Sequence, residues 1–99
     1  MNNLRPYTKA IANLCQRHHV KTLHAFGSVL TDRFTTDSDI DLIVNFDKIP
    51  AENYADNYFD LKFSLQDILN RPVDLLEDQA IANPYFRQNI DRSKQLIYG

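Results

Sequence analysis

Residues 26–44 read FGSVLTDRFTTDSDIDLIV, and acidic and aliphatic side chains alternate near the end of this stretch. Asp37, Asp39 and Asp41 stand at every second position. Side chains two residues apart on a β-strand point to the same face, so Asp39 and Asp41 should lie side by side with aliphatic residues behind them. Carboxylates beside so much apolar surface cost free energy unless a partner offsets their charge. The stretch therefore predicts a strand that binds a cation.

A third carboxylate, Asp74, occurs in the apolar run PVDLLE at residues 72–77, which is typical of a short strand. If this strand neighbours the strand of Asp39 and Asp41, three acidic side chains meet, and at least one would have to hold a proton unless a cation intervened. Oxygen-only ligands favour Mg²⁺ or Mn²⁺ over zinc. Two such ions, about 3.5–4 Å apart, serve in-line displacement at phosphorus. We therefore predict catalytic and metal-binding roles for these three aspartates.

The pair Gly27-Ser28 follows an apolar run and precedes a short helical pattern. Glycine permits close approach of a ligand to the backbone, and a helix N-terminus offers free N–H groups and a favourable dipole for anions. The serine hydroxyl adds a further donor. Together with the aspartates, Gly27 and Ser28 predict a site for a nucleoside triphosphate held on metal.

The composition indicates one domain spanning residues 1–99, because a chain of 99 residues is too short for two cores. The formal charge of −2 and the interspersed charges argue against strong nucleic-acid binding. A single cysteine suits a reducing compartment, and neither a signal peptide nor an apolar run of about 20 residues is visible. We expect a soluble, cytoplasmic protein with no membrane partner.

Periodicity and cap residues predict the order α-β-(α)-β-α-β-α, an α/β (α+β) fold in which a small mixed sheet packs with helices. The predicted helices span residues 4–18, 29–33, 51–70 and 83–97, and the strands span residues 21–26, 39–46 and 72–77. The core stripe expected on the long helix consists of Tyr54, Tyr58, Leu61, Leu65, Ile68 and Leu69. On the last helix the expected inner face consists of Phe86, Ile90, Ser93 and Ile97.

Two rival interpretations of the aspartates remain. A calcium loop of the EF-hand type would need glycine at its sixth position and glutamate at its twelfth, where this chain has Leu42 and Lys48. The second rival is a solvated polar edge, which explains Asp37 but explains Asp39 and Asp41 poorly, and we place Asp37 outside the metal shell. Asp74, taken alone, could be an ordinary exposed strand residue. A zinc site at Cys15 and His18, which could share a helix face, would have to take its fourth ligand from the following strand.

The spacing Gly27-Ser28, ten residues, Asp39-x-Asp41, with Asp74 later on an apolar strand, resembles the nucleotidyltransferase signature of the polymerase-β-like superfamily. Size and element order are similar to its minimal nucleotidyltransferase (MNT) branch, whose members are often antitoxins encoded beside a helical HEPN toxin. The resemblance implies that Asp39 and Asp41 bind both metals, that Asp74 binds the catalytic metal and helps deprotonate the attacking hydroxyl, and that Gly27 and Ser28 hold the β- and γ-phosphates.

The resemblance further implies transfer of AMP from ATP, with two Mg²⁺ or Mn²⁺ ions, to a tyrosine hydroxyl of the toxin. In a second interpretation the chain is a non-catalytic antitoxin that occludes its partner; a third is a transferase acting on a small hydroxyl compound. Many relatives carry basic residues soon after the Gly-Ser pair, whereas here Arg33 is the first. That departure favours occlusion, and the intact aspartates favour catalysis.

Two further groups lie outside this signature. Phe59 and Phe63 fall far round the long helix from its core stripe and form a candidate partner interface, with a toxin or with a second copy of this chain. Arg87, Arg92 and Lys94 on the last helix are typical of a solvated face, with a role near the triphosphate as the alternative.

Overall fold

A computed structural model describes residues 4–31 and 38–99, apart from the side chain of Ser28. The predictions about Asp37 and Arg33 lie outside the described residues. The α-helices are α1 (Thr8–Arg17), α2 (Ala51–Leu69) and α3 (Pro84–Ser93), and the strands are β1 (Val20–Phe26), β2 (Ile40–Phe46), β3 (Val73–Glu77) and β4 (Gln95–Tyr98). Short 3₁₀ turns occupy Arg5–Tyr7, Gly27–Leu30 and Asp78–Ala80.

The four strands form one mixed sheet in the order β3-β2-β1-β4. Strand β1 lies antiparallel to both β2 and β4, whereas β2 and β3 are parallel. Parallel neighbours need a long crossover connection, and α2 supplies it between β2 and β3. The expected small mixed sheet packed with helices is confirmed, and it brings the two aspartate-bearing strands together.

One face of the sheet forms the main core. Every second side chain of β1 and β2 points to this face, where Leu23 and Ala25 on β1 and Leu42 and Val44 on β2 are fully buried. Helix α2 buries Leu61, Leu65 and Leu69 against this face, and α1 buries Ile11, Leu14 and Cys15. Three of the six predicted stripe residues of α2 are thus fully buried, while Tyr54, Tyr58 and Ile68 are partly buried. This face anchors the strands so that their alternate residues project to the other side.

Helix α3 lies toward the opposite face, where the ring of Phe86 meets Phe26 edge-on at a centroid distance of 6.2 Å. Ile43 on β2 and Ile90 on α3 are buried outside the main core cluster. Asn83 caps the start of α3 by accepting hydrogen bonds from the backbone N–H groups of Tyr85 and Phe86. Helix α3 therefore packs on the second face of the sheet, and Asp39 and Asp74 are exposed to solvent.

The predicted end of the last helix is wrong. Helix α3 ends at Ser93, Lys94 is extended, and Ile97 belongs to β4, which pairs with β1. The spacing of Ile90, Ser93 and Ile97 fits a helix, but the edge of β1 offers hydrogen bonds that a single sequence cannot reveal.

The shorter helix predictions also need correction. The helical turn after β1 is a 3₁₀ helix over Gly27–Leu30, so it begins two residues earlier than predicted, and residues 32 and 33 of the predicted helix lie outside the described residues. The first helix starts as a 3₁₀ turn at Arg5–Tyr7 and becomes α-helical only at Thr8. Within the described residues, no helix combines the length and apolar character needed to cross a membrane.

Candidate active site

Gly27 directly follows β1 and has a backbone conformation that glycine adopts far more readily than other residues, with φ at +77°. A Cβ atom built at this position would lie 2.7 Å from Oδ2 of Asp41. Any larger residue would therefore have to displace the Asp41 carboxylate or strain the turn. Gly27, which we predicted to bind phosphate, therefore lies directly against Asp41, which we predicted to bind metal.

The strand register aligns three residues across the sheet. Phe26 on β1 pairs with Asp41 on β2, and Asp41 pairs with Asp74 on β3. Because β2 and β3 are parallel and directly paired, the side chains of Asp41 and Asp74 leave the sheet on the same face. The structure thus brings Gly27, Asp41 and Asp74 to one end of the sheet.

Asp39 directly precedes β2 and is exposed, as is Asp74, whereas Asp41 is partly buried between them. Burial raises the pKa of the Asp41 carboxyl above its ordinary value, and the negative charges of Asp74 and Asp39 raise it further. This upward shift has the direction expected of a carboxyl crowded by like charges. The three aspartates therefore interact electrostatically.

Within residues 4–31 and 38–99, no three side chains of the His, Cys, Asp and Glu types are arranged to enclose a metal ion. Three carboxylates repel one another, and this repulsion opposes convergence until a cation shares their charge. The donor set nevertheless fits Mg²⁺ or Mn²⁺, because it consists of carboxylate oxygens open to water on one face of the sheet. The metal site at Asp39, Asp41 and Asp74 stays a prediction.

Helix α2 contributes polar contacts to β3 that the sequence pattern did not indicate. The Tyr58 hydroxyl donates a hydrogen bond to the carbonyl oxygen of Leu75 over 2.5 Å, and Gln66 Oε1 accepts one from the N–H of Val73 over 3.1 Å. The Tyr54 hydroxyl donates to Glu77 Oε2 over 2.6 Å. Tyr54 and Tyr58 were correctly predicted to lie on the core side of α2, but nothing in the sequence indicated which groups accept their hydrogen bonds.

Phe59 and Phe63 lie one turn apart on the outer side of α2, with 49% and 55% of their surfaces exposed. Their rings stack with centroids 6.0 Å apart, and Phe59 also meets Tyr58 edge-on. The two side chains form one continuous aromatic surface rather than two isolated exposed residues.

Two of the three basic residues predicted on the last helix form ion pairs with carboxylates, and neither Cys15 nor His18 is in an environment that favours zinc binding. Arg87 forms an ion pair with Asp78 over 2.8 Å, and Lys94 pairs with Asp91 over 3.0 Å. Burial raises the pKa of the Cys15 thiol to about 12, so it is not a ready zinc ligand. His18 Nδ1 already bonds to the carbonyl of Leu14 over 2.7 Å. Arg92 is exposed.

A small cleft of about 180 Å³ opens at the other end of β2 and β3. Its lining includes Asn45, Lys48, Tyr54 and Glu77. The two strands run parallel, so this cleft lies at the end remote from Asp41 and Asp74. It is separate from the three aspartates Asp39, Asp41 and Asp74, which we call the acidic row.

The polymerase beta nucleotidyltransferase family matches residues 9–99, so this chain belongs to that family and is a nucleotidyltransferase. A relative from Methanocaldococcus jannaschii, named "Putative protein adenylyltransferase MJ0128", is 38% identical over 85 residues, covering 86% of this chain and 82% of the relative.

Solved structures agree with this assignment. A structure described as a "putative minimal nucleotidyltransferase" aligns with a TM-score of 0.78 at 30% identity, covering 96% of this chain and 95% of that one. The fold of this chain is also similar to that of a chain in the structure of a tri-AMPylated Shewanella oneidensis HEPN toxin in complex with MNT antitoxin. That alignment has a TM-score of 0.66 at 20% identity and covers 96% and 71% of the two chains, so it shows the fold alone.

Proposed function

We propose that this chain transfers AMP from ATP to a hydroxyl group on a partner protein, and that it acts as the antitoxin of a helical HEPN-type toxin. The observation that supports catalysis most directly is the row at the end of β2 and β3. Asp41 pairs in register with Asp74, and Gly27 lies against Asp41 Oδ2. Raised pKa values at such clusters are characteristic of functional sites.

Asp39, Asp41 and Asp74 would hold two Mg²⁺ or Mn²⁺ ions, which would supply neutralisation of the triphosphate charge and activation of the acceptor hydroxyl. Asp74, exposed at the end of the row, would accept the hydroxyl proton. The acceptor oxygen would bond to the α-phosphorus while the bond from that phosphorus to the bridging oxygen breaks, and pyrophosphate would leave with the electron pair. The backbone N–H groups at Gly27 and Ser28 would bind the β- and γ-phosphates.

The proposed acceptor lies on another macromolecule, and the exposure of Asp39 and Asp74 to solvent supports this, because a second protein could reach them. The aromatic surface of Phe59 and Phe63 is the proposed contact with the toxin. The Shewanella oneidensis complex, in which an AMPylated HEPN toxin is bound to an MNT antitoxin, supports both the proposed partner and the proposed nucleotide.

The proposed activity is tested by incubating the chain with α-labelled ATP, Mg²⁺ and the helical protein encoded beside it. Wild type is compared with the double variant Asp39→Ala plus Asp41→Ala. Circular dichroism and thermal melting establish that both proteins are folded.

Label on the partner with wild type alone supports AMP transfer. Toxin inhibition without label, equal in both proteins, contradicts catalysis and favours the alternative of a non-catalytic antitoxin. Transfer by the double variant would contradict the assignment of the catalytic aspartates.

A further inference from the structure

Strand β3, which carries Asp74, is short and lies at an edge of the sheet. It has five residues, and among the described parts of the chain its one strand neighbour is β2. Edge strands of this length are held weakly by the sheet alone, because half of their backbone hydrogen-bonding groups point away from it. A carboxylate that must meet a metal on a neighbouring strand needs firmer support.

The pairing pattern shows which groups of β3 point outward. The carbonyl of Pro72 accepts a hydrogen bond from the N–H of Ile40 on β2 over 3.0 Å. In a parallel pair, alternate residues bond to alternate sides, so Val73 and Leu75 direct their backbone groups to the outer edge. These two residues immediately flank Asp74.

Helix α2 holds both outward-facing neighbours of Asp74. Gln66 accepts a hydrogen bond from the N–H of Val73, and Tyr58 donates one to the carbonyl of Leu75. Both side chains are partly buried, so their bonds are shielded from competition with water. The charge of Asp74 also reaches Tyr58, because it contributes to raising the pKa of the Tyr58 hydroxyl, after burial and Glu77.

We propose that Tyr58 and Gln66 are positioning residues that fix the outer edge of β3 and thereby hold Asp74 in register with Asp41 for metal binding. This inference rests on the proposed function, since it takes Asp74 to be a metal ligand. It assigns to α2 a role in the chemistry beside its role in the core. Neither residue touches the reacting atoms.

The test measures Mn²⁺ binding by the loss of the free-ion signal in electron paramagnetic resonance. The variants are Tyr58→Phe, Gln66→Met and the pair combined. The matched control is Tyr54→Phe, which also loses one hydroxyl from α2, but whose hydrogen bond goes to the side chain of Glu77 instead of the backbone beside Asp74. Thermal melting and amide exchange at Val73 report on the fold and on the edge itself.

We expect Tyr58→Phe to weaken Mn²⁺ binding by about three- to tenfold, the scale of one hydrogen bond lost from a positioned group, and the combined variant to weaken it further. Tyr54→Phe should bind Mn²⁺ as wild type does. In the transfer assay the Mg²⁺ concentration for half-maximal rate should rise in Tyr58→Phe while KM for ATP stays unchanged and excess Mg²⁺ restores the rate. A merely structural loss of stability would not produce this split.

Wild-type Mn²⁺ affinity in the combined variant, with faster amide exchange at Val73, would overturn the positioning role alone. Equal weakening in Tyr54→Phe would also overturn it, because the effect would then be a general one of α2. Absence of Mn²⁺ binding by the wild-type chain would overturn the proposed metal site, and this inference with it.

Discussion

The Gly27 backbone and the Asp41 carboxylate occupy adjoining space, with a Cβ at Gly27 placed 2.7 Å from Oδ2. The sequence predicted the glycine for a different reason, the approach of a phosphate to the backbone. Its contact with Asp41 depends on the antiparallel register of β1 and β2, which places Phe26 opposite Asp41. A single sequence does not specify that register, so the contact could not be predicted.

Gly27→Ala should impair catalysis more than folding. The left-handed conformation at φ +77° costs an alanine about 1–2 kcal/mol, and the new methyl group displaces the Asp41 carboxylate. A misplaced ligand can lower activity by about a hundredfold. The control is Ile90→Val, a buried change on α3 at a residue with no proposed role in catalysis, which costs about 0.5–1.5 kcal/mol. Full transfer activity in Gly27→Ala, measured with Mg²⁺ and ATP, would contradict the site geometry.

The raised pKa of Asp41 predicts a gain in stability when its charge is removed. The pKa of Asp41 is higher in the folded chain than in the unfolded chain, so ionisation of this carboxyl destabilises the folded chain. The cost is fully present at pH values above the folded pKa. It is absent below the unfolded pKa of about 3.9, where the carboxyl is protonated in both states. In EDTA, Asp41→Asn should therefore melt at a higher temperature than wild type at pH 7, and the difference should vanish near pH 3.

The metal dependence supplies the control for this variant. Mg²⁺ should raise the melting temperature of wild type, since a ligand that binds only the folded state stabilises it, and should leave Asp41→Asn unchanged. If Asp41→Asn melts lower than wild type at pH 7 in EDTA, the carboxylate makes a favourable interaction in the folded chain and the predicted repulsion is wrong.

Most helices and strands could be predicted, because their apolar periodicity reflects burial on the main core face. Helix α2 shows this well, since Leu61, Leu65 and Leu69 were expected inside and are buried there. Strand β4 could not be predicted, because its four residues gain their structure from pairing with β1. The contacts of Tyr58 and Gln66 with β3 were missed for the same reason, as both acceptor and donor are backbone groups of another element.

The outer side of α2 carries the proposed toxin contact. Phe59→Ala plus Phe63→Ala should weaken binding of the partner by about tenfold or more, because exposed aromatic pairs commonly act as anchors of an interface. Tyr85→Ala is the matched control, since Tyr85 is an aromatic residue on α3 with 78% of its surface exposed. Binding is measured by isothermal titration calorimetry.

Equal loss of affinity in the control, or no loss in the α2 variant, would place the toxin elsewhere. If sedimentation instead shows that wild type self-associates and the α2 variant does not, the surface of Phe59 and Phe63 joins two copies of this chain.

The molecule as a whole is a minimal scaffold for the acidic row. Helices α1 and α2 cover one face of the sheet, and the aspartates project at the end of the opposite face. The pairing of β2 with β3 unites residues 33 positions apart in the chain, Asp41 and Asp74, and the crossover through α2 fixes their relative position. From the sequence we predicted that these aspartates would meet if their two strands were neighbours. The parallel pairing of β2 with β3 confirms that the strands are neighbours.

A crystal of the chain grown with Mn²⁺ and a non-hydrolysable ATP analogue tests the central claim most directly. Anomalous scattering should reveal two Mn²⁺ ions about 3.5–4 Å apart, in contact with Asp39, Asp41 and Asp74, with the triphosphate against the Gly27 turn. Ordered nucleotide with Mn²⁺ bound away from these three carboxylates would contradict the account.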